Sequence, residues 1–188
     1  GAGSWGTALA NLLAKKGEET LLWSYEADVA EGINNDHRNP TYLPDSPLDP
    51  RLRATASIDE AVRGAGVVVS VSPSHTVRGV MARVAPHLAP ETLIVSASKG
   101  IEEGSLKMMD GVLEDVLHPE VARGVAYLSG PSFAKEVADE QPTAVTMASH
   151  IVDRAVAAQE LFQTDYFRTY TTTDVVGVEL GGAVKNVM

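Results

Sequence analysis

Hydrophobic and polar positions along the chain alternate between two spacings. Short runs of apolar and largely β-branched residues, such as 67–72 and 92–98, have the length and composition of buried strands. Between these runs, apolar residues recur at intervals of three and four, as in the stretch 75–84. This alternation of strands with amphipathic helices predicts an α/β fold, with a doubly wound, mainly parallel sheet and helices on both faces.

The same pattern predicts the individual elements. Strands are predicted over 20–24, 52–56, 67–72, 92–98, 125–129, 143–148 and 167–171. Helices are predicted from the first residues to a cap at Gly17 and over 27–34, 57–64, 75–84, 106–117 and 152–163, with a last helix capped by Asp174. Ser57 and Glu60 have the spacing of a capping box. Leu106 is expected to face the core with the other apolar residues of its helix.

The chain opens on GAGSWGTALANLLAKKG, in which Gly1, Gly3 and Gly6 fit the dinucleotide-binding pattern G-x-G-x-x-G. Glycines at this spacing allow a sharp turn, close approach of a pyrophosphate and packing of the next helix on the sheet. The helix N-terminus then offers free N–H groups and partial positive charge to the phosphates. The strand that normally precedes this pattern is not in the sequence. We therefore expect a piece of a longer protein, destabilised by the lack of its first, central strand.

Composition narrows the range of partners. The chain has 188 residues, enough for one sizeable domain, and its formal net charge of -10 argues against nucleic acid as the main partner. There is no cysteine, and His75 and His118 have no paired ligands in the sequence, so neither disulfides nor a metal site is expected. No apolar run approaches the length of a membrane span. We expect a cytoplasmic protein without membrane insertion.

Three further segments carry candidate chemistry, because ligands in such folds bind at the carboxyl ends of the strands. Lys99 directly follows a buried strand and is either a solvated lysine or a ligand contact. The segment GPS at 130–132 is either a rigid turn with a serine N-cap or a ligand loop. Gly181 and Gly182 precede Lys185 in a helix, where each glycine costs about 1 kcal/mol relative to alanine. Something must therefore approach this helix closely at the two glycines, either another packed helix or a substrate beside Lys185.

Six segments occur in the order GAGSWGTALA, NPTYLP, SPSH, SKG, GPSFAKEVA and ELGGAVKNV, and together they resemble the soluble NAD(P)-dependent glycerol-3-phosphate dehydrogenases. The resemblance extends over the whole chain. It implies an oxidoreductase that interconverts sn-glycerol 3-phosphate and dihydroxyacetone phosphate with NAD or NADP and feeds glycerophospholipid synthesis. It also implies that 1–173 form a Rossmann-like cofactor domain and that 174–188 begin an all-helical, otherwise missing C-terminal substrate domain. The full-length protein is expected to be a homodimer.

The glycine pattern and the resemblance together imply roles for individual residues. Cofactor-binding residues are Gly1, Gly3, Ser4, Trp5, Gly6, Tyr25, Glu26, Pro73, Lys99 and Ala134. Substrate-binding residues are Lys99, Gly130, Ser132 and Lys185, with Lys185 as the catalytic proton acceptor. A lysine can take the hydroxyl proton of a secondary alcohol when a neighbouring cation or burial lowers its pKa, and Lys99 is a candidate neighbour.

The residues after the strand 20–24 bear on the choice of cofactor. Tyr25 and Glu26 follow this strand, and no lysine or arginine occurs before Arg38. An acid at this position suits the ribose hydroxyls of NAD, whereas NADP sites usually place a cation there. We therefore expect a preference for NAD of at least ~10-fold in kcat/KM, or about 1.4 kcal/mol. Two alternatives stay open: a dehydrogenase of a 3-hydroxy acid or ketopantoate, and a non-catalytic NAD-binding module as an isolated fragment.

Overall fold

A computed structural model describes residues 1–184, which form a five-stranded sheet, a two-stranded sheet, nine α-helices and one short 3-10 helix, Ala85–His87. The strands are β1 Leu21–Trp23, β2 Arg53–Thr55, β3 Val67–Ser70, β4 Leu93–Ser96, β5 Ala126–Ser129, β6 Thr143–Ala148 and β7 Phe167–Thr172. The helices are α1 Ser4–Lys16, α2 Ala27–Asp36, α3 Ile58–Val62, α4 Ser74–Val84, α5 Met109–Val116, α6 Pro119–Arg123, α7 Ala134–Ala138, α8 Val152–Phe162 and α9 Val175–Val184. Within residues 1–184, no helix has the length and apolar character that a membrane span requires.

One antiparallel pair interrupts an otherwise parallel topology. The larger sheet has the strand order β3-β4-β5-β6-β7, and β1 pairs with β2 in the smaller one. All neighbours run parallel except β5 and β6, in which Tyr127 lies opposite Ala148. Strands β6 and β7 therefore end at the edge of the sheet opposite to the ends of β3, β4 and β5. Helix α9 starts from that far edge and runs back, so that Gly182 packs against Ser129 at the end of β5.

The larger sheet is buried on both faces, which explains the continuous apolar runs of its strands. In β4, Leu93 and Val95 belong to the core on one face, together with Leu9 of α1 and Phe162 of α8. Ile94, between them, belongs to the core on the other face, which is built with α3, α4, α5 and α6. Coverage of both faces confirms the predicted doubly wound, mainly parallel α/β architecture.

Three helix ends follow the predicted chemistry. Gly17 ends α1 with φ 101°, a left-handed conformation that favours glycine. The Ser57 hydroxyl accepts the N–H of Glu60 at 3.3 Å, and Asp174 Oδ1 accepts the N–H three residues further on at 2.9 Å. The capping box also predicts a bond from the backbone N–H of Ser57 to the Glu60 side chain, and this prediction is wrong. The Thr55 hydroxyl intervenes, because it accepts the N–H of Ser57 and donates to the Glu60 carboxylate.

The predicted helix 106–117 begins too early, and α6 after it was not predicted. Helix α5 starts at Met109, and Leu106 has φ 58° with 79% of its surface exposed, so its predicted place in the core is wrong. The cause is a turn in which the N–H of Glu102 donates to the carbonyl of Lys107 at 2.8 Å. Arg78 holds the Glu102 side chain, so this segment is committed to the turn rather than to a helix.

A gap separates the two sheets. A cavity of about 610 Å³ lies between β1 and β3, with Leu22 and Val69 on its strand walls and Leu9 and Leu13 of α1 across it. Among the described residues, neither β1 nor β3 has a partner strand on this side. The gap divides the single predicted sheet into two.

Candidate active site

A cleft of about 1050 Å³ opens at the carboxyl ends of β1, β3, β4 and β5. The predicted site residues that line it are Gly1, Gly3, Ser4, Trp5, Gly6, Tyr25, Glu26, Pro73, Lys99, Ser132 and Ala134. Gly130 does not line the cleft itself, but its carbonyl accepts a hydrogen bond from Lys99, which does. Lys185 lies outside the described residues. The loops that follow four different strands and the glycine-rich loop therefore meet in one place, as the sequence predicts.

The three glycines of the first loop are required for different reasons. A Cβ atom at Gly6 would lie 1.9 Å from the carbonyl oxygen of Gly1, and one at Gly1 would lie 2.8 Å from that of Val71. Both positions allow close packing of the loop, α1 and the end of β3. A Cβ at Gly3 would have no neighbour within 4 Å. With no acidic residue in the first turn of α1, this open space beside a helix N-terminus suits a phosphate.

Asn39 fixes the glycine-rich loop from the NPTYLP segment. Its fully buried side-chain amide donates to the carbonyl of Ala2 at 2.9 Å and to the hydroxyl of Thr7 at 2.8 Å. Its carbonyl oxygen accepts the N–H of Tyr42 at 3.0 Å. The second loop therefore clamps the first and brings Tyr42 to the cleft, although the sequence analysis assigned no role to either residue.

Lys99 joins three parts of the cleft. Its Nζ donates to the carbonyl of Gly130 at 3.2 Å and lies 6.0 Å from the centroid of the Trp5 ring, within cation–π distance. These contacts link the loop after β4 to the loop after β5 and to the start of α1. Lys99 is half-buried and bonded to Gly130, which favours a ligand contact over a solvated lysine at a strand end.

Two buried polar atoms in the cleft wall lack a hydrogen-bond partner among the described residues: Trp5 Nε1 and Ser132 Oγ. An unsatisfied buried donor or acceptor costs about 1–3 kcal/mol, so such atoms are expected where a ligand completes the bonding. The alternative of Ser132 as a helix N-cap is wrong, because Phe133 is the N-cap residue of α7.

One end of the cleft carries an acid that is held by a tyrosine. Glu26 Oε1 accepts a hydrogen bond from the Tyr42 hydroxyl at 2.7 Å, and this bond, together with the charge of Glu26, raises the pKa of Tyr42. Ser24 donates to the other carboxylate oxygen at 3.5 Å. Tyr25 beside it is 82% exposed. The Glu26 side chain is thus held where it borders the cleft.

Sequence reasoning missed one wall of the cleft. Thr76, Gly79, Val80 and Arg83 of α4 line it, whereas Val77 on the other side of this helix packs in the core. The signal was present, because Thr76, Val80 and Arg83 are spaced by four and three residues and share a helix face. Arg83 adds a cation to this wall of the cleft.

The loop that follows Lys99 is fixed by ion pairs. Arg78 donates to both carboxylate oxygens of Glu102, at 2.9 and 2.8 Å, and to Asp115 at 3.0 Å. Hydrogen bonds from Arg78 and Ser105 lower the pKa of Glu102 to about 2. The pair is therefore fully charged at neutral pH and holds the loop between β4 and α5.

The last turn of α9 packs beside Ser129 and the stem of Lys99. A Cβ at Gly182 would lie 2.6 Å from Ser129 Oγ and 3.7 Å from Lys99 Cγ, whereas one at Gly181 would have no neighbour within 4 Å. The close approach predicted from the glycine pair is therefore confirmed at Gly182 and wrong at Gly181.

Comparison with known proteins agrees with this geometry. Residues 1–155 match the family model described as the NAD-dependent glycerol-3-phosphate dehydrogenase N-terminus. The chain belongs to this family. The family resemblance carried by the six sequence segments is therefore confirmed, and so is the α/β fold that it implies.

Individual glycerol-3-phosphate dehydrogenases match the chain over its whole length. Proteins named glycerol-3-phosphate dehydrogenase (NAD(P)+) from Geobacter sulfurreducens and Myxococcus xanthus are 54% and 51% identical over 188 residues. Each match covers 100% of this chain and 56% of the relative, so the chain spans little more than half of their length. The crystal structure of glycerol-3-phosphate dehydrogenase from Coxiella burnetii superimposes with a TM-score of 0.89 at 38% identity, covering 100% of this chain and 56% of that one.

Proposed function

We propose that the protein containing this chain interconverts sn-glycerol 3-phosphate and dihydroxyacetone phosphate by hydride transfer with NAD or NADP. The supporting observation is the cleft in which the N-terminus of α1, Lys99 and the unpartnered Ser132 hydroxyl converge. Residues 1–173 act as the cofactor domain, and 174–188 begin the helical domain that completes the substrate site. The full-length protein is a cytoplasmic homodimer that supplies glycerophospholipid synthesis.

The cleft that Glu26 and Lys99 both line would hold the cofactor. Gly1, Gly3 and Gly6, with Ser4 and Trp5, bind its phosphates through the open N-terminus of α1. Tyr25 and Glu26 flank the adenosine end, and Pro73, Lys99 and Ala134 border the nicotinamide side. When bound, the nicotinamide ring exchanges the hydride that the protein's side chains cannot supply.

The substrate-binding residues are Lys99, Gly130, Ser132 and Lys185. In alcohol oxidation, Lys185 accepts the hydroxyl proton. In the reverse direction its ammonium group polarises the carbonyl and protonates the alkoxide oxygen. Lys99 supplies a local positive charge for an anionic substrate, which the overall charge of -10 would otherwise repel.

The cofactor preference rests on Glu26. Its carboxylate borders the cleft and is held by Tyr42, so a 2′-phosphate placed there would meet a fixed negative charge. We expect NAD to be preferred over NADP by at least ~10-fold in kcat/KM.

The proposal is tested by Lys185→Ala in the full-length protein. Loss of a general acid–base group should lower kcat at least ~100-fold, with little change in the Kd for NADH. Lys15→Ala is the control, because this lysine lies at the far end of α1 and pairs with Glu140 at the surface. Near-normal turnover by Lys185→Ala with glycerol 3-phosphate would exclude its role as the proton acceptor.

A further inference from the structure

A small chamber lies behind Lys99, between β4, β5 and α9. Its volume is about 10 Å³, which is room for one water molecule. Ser96 of β4, Ser129 of β5 and Glu179 of α9 contribute polar side chains to its wall. Lys99 lines both the chamber and the large cleft, so the two spaces share one side chain.

Ser96 indicates that the chamber holds a ligand. Its side chain is 2% exposed, and its hydroxyl has no hydrogen-bond partner among the described residues. Buried hydroxyl groups are almost always bonded to protein atoms or to ordered water. A single water molecule in the chamber would give the Ser96 hydroxyl the partner that it lacks.

Glu179 provides a second polar group in the same wall. Both of its carboxylate oxygens lie 3.2 Å from the backbone N–H of Asp110, which ties α9 to the first turn of α5. Burial, followed by the hydrogen bond and charge of the Asp110 side chain, raises the pKa of Glu179 to about 8. The other ionisable groups around the chamber are the Tyr127 phenol on β5 and Lys99. A protonated Glu179 can both donate a hydrogen bond to water and accept one.

We propose that the chamber binds one water molecule between Ser96 and Glu179, and that this hydrated pair is a positioning group for Lys99. The water fills the space beside the Lys99 stem, whose Cγ lies 3.7 Å from the Cβ position of Gly182. Without the water, the stem can relax into the chamber and draw Nζ away from Gly130. The role of Lys99 in binding rests on the proposed function, whereas the water site does not.

Urea unfolding of Ser96→Ala tests the water site. If water bridges the hydroxyl, the substitution removes a satisfied bond and lowers the urea midpoint. Thr169→Val is the matched control, because Thr169 Oγ1 is equally buried and unpartnered but does not line the chamber. The control should leave the midpoint unchanged or raise it. If the urea midpoint of Ser96→Ala instead rises as much as that of Thr169→Val, the chamber is dry and the proposal is overturned.

Trp5 fluorescence tests the positioning role, because its ring lies beside Lys99. The chain has two tryptophans, so Trp23→Phe makes Trp5 the single reporter. In that background, Ser96→Ala should shift the Trp5 emission in the same direction as Lys99→Met, and should add no further shift to Lys99→Met. An unchanged Trp5 emission in Ser96→Ala would overturn the positioning role. The role would also be overturned if Ser96→Ala shifted the emission equally in the Lys99 protein and in the Lys99→Met variant.

A high-resolution crystal structure provides a direct measurement that does not depend on how the variants fold. Water within hydrogen-bond distance of Ser96 Oγ supports the proposal, and an empty chamber refutes it. None of these readouts requires turnover, so a failure here is distinct from a failure of the dehydrogenase assignment.

Discussion

Replacing Gly3 with alanine should separate dinucleotide binding from folding. Gly3 has φ -63° and ψ 174°, which alanine adopts readily, and no atom lies within 4 Å of the Cβ position. As an N-cap, alanine costs about 0.5–1 kcal/mol relative to glycine. The new methyl group, however, occupies the space in which a phosphate would approach the helix. Overpacking of this kind costs about 1–3 kcal/mol, which weakens the Kd for NADH roughly 5- to 150-fold.

Gly6→Ala should have the opposite effect. Its Cβ would lie 1.9 Å from the carbonyl oxygen of Gly1 and 3.1 Å from the carbonyl carbon. Reaching even the 3.0 Å lower limit of real contacts requires the loop backbone to move by about 1.1 Å. A backbone carbonyl cannot rotate away as a side chain can, so the free energy of unfolding should fall by at least ~3 kcal/mol.

The assay combines urea unfolding, followed by circular dichroism, with fluorescence titration of NADH on the same protein. Gly66→Ala is the control, because it also has open space at Cβ but lies outside the cleft. It should change neither the Kd nor the stability by more than about 1 kcal/mol. Wild-type NADH affinity in Gly3→Ala would refute the reasoning, as would wild-type stability in Gly6→Ala.

Four further outcomes follow from the structure. Gly181→Ala should stabilise the chain by up to about 1 kcal/mol in urea unfolding, whereas Gly182→Ala should not, unless Ser129→Ala removes the clashing hydroxyl. The contribution of Glu179 to stability is complete below its unfolded pKa of 4.5 and is lost as the pH rises through about 8. Unfolding free energy should therefore fall by about 1–2 kcal/mol over this range, after allowance for solvent screening, and Glu179→Gln should not show this loss. Glu26→Arg should move the NADH/NADPH ratio of kcat/KM towards NADPH, and an unchanged ratio would exclude a role for Glu26. Residues 1–188 alone should show little or no oxidation of glycerol 3-phosphate, and a rate comparable to that of the intact protein would contradict the need for a second domain.

The parts of the site that could be predicted depend on local chemistry. Within the glycine spacing 1, 3 and 6, the close approach of Gly6 to the carbonyl of Gly1 is a constraint between neighbouring residues. Lys99 and Ser132 follow strands, and a parallel sheet brings strand ends together whatever the details of packing. The positions of these residues in one cleft therefore followed from the pattern of elements alone.

The parts that could not be predicted depend on distant contacts. Leu106 fits a helical pattern, but Arg78 reaches from another helix to fix Glu102 and turns the segment into a loop. Tyr42 lies in a proline-rich segment without periodicity, and only the clamp by Asn39 brings it to Glu26. Propensity does not contain such information, because the partners are separated along the chain and meet only after folding.

The division into two sheets makes the cofactor a participant in stability. Glu26 follows β1 of the smaller sheet, whereas Lys99 and Ser132 follow strands of the larger one, and no strand joins the two sheets among the described residues. A dinucleotide that spans the cleft would contact both halves at once and oppose their separation. By mass action, a ligand at 100 times its Kd stabilises the state that it binds by about 2.7 kcal/mol. The melting temperature of this chain should therefore rise with NADH concentration and act as a binding assay that needs no substrate.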